Sequence, residues 1–204
     1  MRPDLDILRK LIKDKALVTV EEDWPGKERG KKNDKKFFLK LKEPVGKESS
    51  GYEIKILNTP EDTIAIKSDM FSFPEKIFRS TRGEGKRADY VIIASDGEKN
   101  WIVYIEMKRG KHGQGGHIVQ QLQGSKCFID YCRTVVQTFW RESNFLEEKD
   151  YQQRYVSVEN IDGKKRPIRK IRNPSSHNCP ENMLKISSPA QKGIWFRELV
   201  GSAN

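Results

Sequence analysis

Strand-like and helical periods alternate along this chain, which predicts a mixed α/β (α+β) fold: a central mixed β-sheet flanked by helices. Three observations carry that expectation. Short runs between Phe37 and Ser68 alternate apolar and polar residues with period two, a strand–turn–strand unit occupies Asp89 to Lys108, and a long amphipathic helical pattern follows it directly. At 204 residues the chain is one domain by size. Hydrophobic residues are 35% and charged residues 33%, a polar balance, but nine Phe, four Trp and six Tyr are too many for a disordered chain.

The elements follow in order. Leu5, Leu8, Ile12 and Ala16 form one stripe of a helix over Leu5–Leu17, with Asp4 and Asp6 at its positive end. A charged loop with Pro25, Gly26 and Gly30 as breakers spans Glu21–Lys36. Three strands, Phe37–Glu43, Tyr52–Leu57 and Thr63–Ser68, read as a meander with one wet face. After a loop rich in Arg, Lys and Gly (Arg79–Arg87), Asp89–Ala94 is a buried-type strand, Ser95–Glu98 a turn and Trp101–Lys108 a second strand. A Gly-rich connection, Gly110–Gly116, leads into a helix from about His117 to Trp140 with the stripe Ile118, Leu122, Ile129, Cys132 and Val136. A strand at Tyr155–Val158, a basic run at Lys164–Arg172 and an apolar segment at Ile194–Val200 complete the chain.

Several classes drop out. No apolar run is long enough to span a bilayer, so no membrane association is expected. The first residues lack the apolar core of a secretory signal. Three cysteines, an odd number, argue against a disulfide framework and for a reducing compartment, so a cytoplasmic protein is expected. Thirty-nine Lys and Arg against twenty-nine Asp and Glu give +10, an excess that draws polyanions, nucleic acid above all. A solubility charge is the plainer reading of the same number.

Glu106 and Lys108 are the chemical anomaly, since they interrupt an otherwise apolar strand. Alternation sends Tyr104, Glu106 and Lys108 to one face and Ile105 and Met107 to the other. An ionised carboxylate on a buried sheet face costs on the order of several kcal/mol unless paired or metal-bound. Asp89 begins the neighbouring strand, and a tight hairpin would bring it beside Glu106. Two such carboxylates repel and favour a proton or a divalent cation between them. Oxygen-only ligation suits Mg²⁺ or Mn²⁺, and Lys108 on the same face can meet charge growing on a phosphate. The plainer alternative is a structural Glu–Lys pair at a strand end.

Arg87-Ala88-Asp89-Tyr90-Val91-Ile92-Ile93, then Ile105-Glu106-Met107-Lys108, then Gln121-Leu122 on the following helix resemble the PD-(D/E)xK nuclease superfamily of restriction endonucleases, junction resolvases and repair nucleases. The resemblance covers about Glu75 to Val158. One departure is that Ala88 stands where the superfamily's name has proline. The resemblance implies a restriction endonuclease-like core (75–160) with an N-terminal helix and strand elaboration (1–70) and a basic C-terminal extension (161–204). It implies that Asp89 and Glu106 hold the metal, with the Met107 carbonyl as a further ligand, and that Lys108 is catalytic. Glutamines on the helix after the Glu-x-Lys strand recur in this superfamily. Gln121 is favoured over Gln120 and Gln123 because it borders the core position Leu122.

Glu53, Glu75 and Glu84 are all open as an additional upstream acid. Phosphate contacts fall to Arg82, Lys86 and Arg87 before Asp89, to Arg109 and Lys111 after Lys108, and to Lys165 and Arg166 in the tail. Zinc is the rival metal, drawn from His112, His117, Cys127, Cys132, His177 and Cys179. Cys127 and Cys132 lie about 140° apart round a helix, which does not suit a turn-based ligand pair. The expected activity is Mg²⁺-dependent phosphodiester hydrolysis by an endonuclease, with DNA as substrate. The alternatives are a non-catalytic nucleic-acid-binding module that kept the fold, and an interaction domain. Many members of the superfamily act as dimers, so a homodimer is in view, but no apolar stripe locates its interface.

Overall fold

The structure is a computed structural model that describes residues 3–23, 36–43, 51–72, 77–79, 81–108, 115–159, 161, 177–187 and 193–201. In chain order the elements are α1 (Pro3–Leu11), β1 (Leu17–Val18), β2 (Glu21–Asp23), β3 (Lys36–Glu43), β4 (Tyr52–Leu57), β5 (Asp62–Lys67), β6 (Tyr90–Ser95), β7 (Asn100–Lys108), α2 (Gly115–Val135), β8 (Gln152–Glu159), β9 (Leu184–Ser187), β10 (Ile194–Trp195) and α3 (Phe196–Val200). They build two mixed sheets. One has six strands in the order β1-β5-β6-β7-β8-β9, and the other has four in the order β10-β4-β3-β2. In the larger sheet β1, β5, β6 and β7 run antiparallel to their neighbours, while β8 and β9 continue parallel to β7.

The fold class is the mixed α/β one, and α1 and α2 cover one face of the central sheet. On that face Leu5 and Leu8 of α1 and Ile118, Leu122, Ile129 and Cys132 of α2 pack on Ile64, Ile66, Val91, Ile93 and Tyr104. The opposite face is covered by the four-stranded sheet and α3. There Leu39, Leu41, Ile54, Ile56, Phe196 and Leu199 meet Ile92, Val103, Ile105, Val156 and Val158. The alternating runs of β3 and β4 supply one apolar face each, and a sheet with one apolar face must bury it on another layer.

Three expected elements differ. β3, β4 and β5 do not form a meander: β3 and β4 pair with each other, while β5 crosses to the larger sheet between β1 and β6. Its Thr63, Ile64, Ala65 and Ile66 are all buried, so it has no wet face, unlike β4, where Glu53 and Lys55 are exposed. The first helix stops at Leu11, well short of Leu17, because Leu17 and Val18 are taken into a ladder with Ile66 and Ala65. The long helix is regular from Gly115 to Val135 and closes in a π-helical turn, Val136–Trp140, that ends at Arg141 in the left-handed region. Its expected stripe is buried throughout. Among the described residues no helix is long and apolar enough to cross a membrane.

The β6–β7 hairpin is the local device that positions the site. Asp96 Oδ1 accepts the N–H groups of Glu98 and Lys99 at 3.0 and 2.7 Å, and Gly97 takes φ +90°. This closes the turn so that Ser95 pairs with Asn100 and Tyr90 with Ile105.

Candidate active site

Asp89 immediately precedes Tyr90, whose partner is Ile105, so the same register brings Asp89 opposite Glu106. Its Oδ2 accepts the Met107 N–H at 2.6 Å. Asp89 keeps some surface open to solvent. Even so, burial of its carboxyl, with the neighbouring Glu106 charge second, raises its pKa well above the ordinary Asp range, against the pull of the Met107 N–H.

Glu106 is 0% exposed, and its carboxylate oxygens accept no hydrogen bond of ordinary geometry. One of them is met by the Lys108 ammonium. Burial raises the Glu106 pKa, while Lys108 and the Gln121 side chain oppose the rise by favouring its charge. The Lys108 side chain is 34% exposed. Burial works against its charge, but Glu106, Asp89 and Glu43 together outweigh it and hold its pKa above the ordinary Lys value. Gln121 Nε2 reaches the Arg87 carbonyl at 3.4 Å, and its Oε1 is buried without a partner. The structure thus brings Asp89, Glu106, Met107, Lys108 and Gln121 to one place, at the carboxyl end of β7.

The approach to Asp89 is clamped against α2. Ser125 Oγ accepts the Ala88 N–H at 2.8 Å, Ser68 Oγ donates to the Ala88 carbonyl at 2.5 Å, and the two hydroxyls lie 3.0 Å apart, all buried. A Cβ at Gly124 would lie 1.8 Å from the Lys86 carbonyl oxygen, so only glycine lets this segment sit so close to the helix. From the other side, Tyr52 Oη donates to the Met107 carbonyl at 3.1 Å. Tyr90 Oη donates to the Lys42 carbonyl at 2.6 Å and accepts the Lys42 N–H at 2.9 Å. The small sheet is thereby tied to the strand ends that carry the carboxylates.

Among the described residues, the acids that bear on this cluster are not Glu53 or Glu84. Glu53 pairs with Lys42 at 3.2 Å, Glu84 accepts the Arg82 N–H at 2.8 Å in its own loop, and Glu75 lies outside the described residues. Glu43, at the end of β3, and Asp69, after β5, take their place. Burial raises both pKa values, with Asp69 adding to the rise at Glu43, and Glu43 in turn raises Asp89. No local pattern marks either residue: Glu43 reaches the site through the packing of the small sheet on the larger one, and Asp69 through the pairing of β5 with β6.

The basic residues divide. Arg82 is exposed, with its carbonyl accepting Gln120 Nε2 at 3.1 Å. Lys86 and Arg87 are engaged internally. Lys86 Nζ donates to Gln120 Oε1 at 2.5 Å, while Arg87 Nη1 donates to the Lys86 and Glu84 carbonyls and its guanidinium lies 5.3 Å over the Phe71 ring. Burial lowers the Arg87 pKa. Arg109, Lys111, Lys165 and Arg166 lie outside the described residues.

Among the described residues no group of three or more His, Cys, Asp and Glu side chains is gathered as a metal-ligand set. Cys132 is buried in the core, its thiol pushed up to about 12 by burial, and Cys127 is exposed. The Asp89–Glu106 pair is a different type of candidate. Two carboxylates and the Met107 carbonyl are hard oxygen donors, and Glu106 presents a buried carboxylate that accepts no hydrogen bond of ordinary geometry. That donor set fits Mg²⁺ or Mn²⁺, which take few protein ligands and keep waters. Compared with known proteins, the chain matches no family model, no curated protein and no solved structure.

Proposed function

We propose that this chain is a Mg²⁺- or Mn²⁺-dependent nuclease that hydrolyses phosphodiester bonds in nucleic acid, with DNA as the substrate. The carrying observation is the fully buried Glu106 carboxylate, without ordinary hydrogen bonds, beside Asp89 and Lys108. A merely structural ion pair gains nothing from a second buried carboxylate next to it, since like charges in a desolvated site are costly.

Asp89 and Glu106 would hold the cation, with the Met107 carbonyl beside them. When bound, the cation supplies charge neutralisation and polarisation of a phosphate oxygen. The protein's own groups do the rest. The Asp89 hydrogen bond to the Met107 N–H and the Tyr52 hydrogen bond to its carbonyl keep the strand end in place. Lys108, partly exposed on the same strand face, brings an ammonium to negative charge developing on the phosphate. Gln121 lines the helix side and has an unused acceptor. The net charge of +10 steers a polyanion toward the protein without base specificity.

The test is cleavage of linear duplex DNA, single strands, branched DNA and RNA, side by side, with Mg²⁺ and with EDTA. Wild type should cut at least one substrate only with Mg²⁺. Lys108→Ala should cut about 10²–10³ times more slowly while still binding the substrate. A lowered melting temperature with unchanged turnover would reduce the cluster to a structural salt bridge. Binding without cleavage by wild type would make the chain a non-catalytic nucleic-acid-binding module.

A further inference from the structure

The face of α2 that clamps the segment before Asp89 continues past it. Gln120, Gly124 and Tyr131 follow at spacings of four and seven residues, which keeps them on one side of the helix. Gln120 Nε2 donates to the Arg82 carbonyl, and the Lys86 carbonyl sits against Gly124. Next along this face stands Phe71, whose ring lies 5.0 Å from that of Phe128 and 5.3 Å from that of Tyr131. The Arg87 guanidinium lies 5.3 Å from the Phe71 ring centre. Phe128 is buried, but Tyr131 is 55% exposed, and Phe71 meets it at 42° instead of stacking flat on it. A single exposed tyrosine is ordinary. This one is braced by a ring that itself carries a cation, and that cation, Arg87, stands two residues before Asp89.

The charge around the ring is cationic. Arg79 and Arg82 are exposed in the loop that leads to Asp89. The neighbouring acids are engaged: Asp130 pairs with Lys126 and Arg133, and Glu84 accepts the Arg82 N–H. Burial raises the Asp69 pKa, which weakens its negative charge. A flat ring with cations beside it suits a nucleobase and its phosphates, since bases stack on aromatic side chains whatever their sequence. Paired bases keep their faces inside the duplex, so only an unpaired base can use such a ring. Tyr131 lies ten residues beyond Gln121 on α2, about 15 Å along the helix axis. That is about four nucleotides at the roughly 3.4 Å spacing of a stacked strand.

We propose that Tyr131, braced by Phe71 and Arg87, is a stacking platform for a base of an unpaired DNA strand whose backbone runs on to Asp89 and Glu106. This rests on the nuclease reading above and names its substrate class: single strands, or duplex with a single-stranded flank. Tyr131 touches no reacting atom and acts by holding the strand.

Fluorescence anisotropy in EDTA with a short labelled oligothymidylate tests the platform apart from cleavage, each variant being checked for folding by its melting curve. Tyr131→Ala should weaken binding about tenfold, and so should Tyr131→Leu, which keeps apolar area but no ring face. Tyr131→Phe should bind as wild type does. A strand of the same length without bases should bind wild type and Tyr131→Ala equally. Raising salt should weaken binding throughout but leave the ratio of wild type to Tyr131→Ala unchanged, because the ring carries no charge. With Mg²⁺, wild type should cut a tailed duplex faster than a blunt one, and Tyr131→Ala should lose that preference. Equal affinity of wild type and Tyr131→Ala for oligothymidylate overturns the platform. Full binding by Tyr131→Leu, or a wild-type dimer that Tyr131→Ala splits with DNA affinity unchanged, also overturns it and makes the patch an apolar contact between protein chains. Tyr131-dependent binding with no cleavage of any DNA overturns the nuclease reading and leaves the platform supported.

Discussion

The two faces of β7 carry different chemistry. Toward the small sheet it presents Val103, Ile105 and Met107, buried among Leu39, Leu41, Val156 and Val158. Toward α2 it begins in the same way, with Ile102 and Tyr104 in the helix-side core. It then turns polar at Glu106 and Lys108, where the carboxylate is as buried as any leucine and accepts no ordinary hydrogen bond. One strand therefore holds the sheets together with one set of side chains and strains the electrostatics with the alternate set. Strand alternation lets the two tasks be altered separately, and that separation can be tested.

The largest effect should come from the apolar face. Ile105→Ala removes a residue at 0% exposure from between the sheets and should cost about 2–5 kcal/mol of folding stability, read as a lower urea midpoint at unchanged slope. A loss no larger than that of a surface substitution would mean that the two sheets are not packed as described.

A smaller loss is expected where the polar face is clamped. Gly124→Ala should destabilise by roughly 1–3 kcal/mol, because the new methyl meets the Lys86 carbonyl. In an open helix the same change would stabilise by about 1 kcal/mol. The sign of the change in melting temperature therefore decides whether the segment before Asp89 sits against α2.

The smallest effect should be a gain. The Asp89 pKa is raised in the folded protein by burial and by Glu106, so the folded state holds a proton that the unfolded chain gives up. The contribution of Asp89 to stability is therefore full below about pH 3.9, the ordinary Asp value, and is lost as pH rises through the raised folded value. Asp89→Asn keeps an acceptor for the Met107 N–H and removes that decline. It should stabilise by about 1 kcal/mol or more at pH 8 without divalent cation, with the gain vanishing in acid. Parallel melting curves of the two proteins at all pH values would show that the Asp89 carboxyl is not strained.

Much of this site was legible before folding was considered. The turn Ser95–Glu98 sets the hairpin register, and that register with the alternation of β7 brings Asp89 beside Glu106 and puts Lys108 on the same face. The stripe of α2 is local too, and places Gln121 at the border of its buried edge. In β5 the signal for burial on both faces is local: Thr63-Ile64-Ala65-Ile66 contains no charged residue, whereas Glu53 and Lys55 punctuate β4, so one strand suits burial on both faces and the other does not.

By itself, then, the sequence determined the periods, the hairpin, the helix stripe and the pair of carboxylates with their lysine, because each depends on residues close together in the chain. The tertiary structure decided which sheet each strand joins and which remote groups reach the site. Glu43 arrives through sheet packing and Asp69 through the pairing of β5 with β6, Ser68 and Ser125 meet at Ala88 from distant parts of the chain, and Ser157 and Glu159 stand beside Glu106 and Lys108 through a parallel pairing across a whole helix. Arg87 turned inward over Phe71 for the same reason. A period of two states that a residue faces one side of a strand, but what waits on that side is set by buried surface and backbone pairing summed over the whole chain.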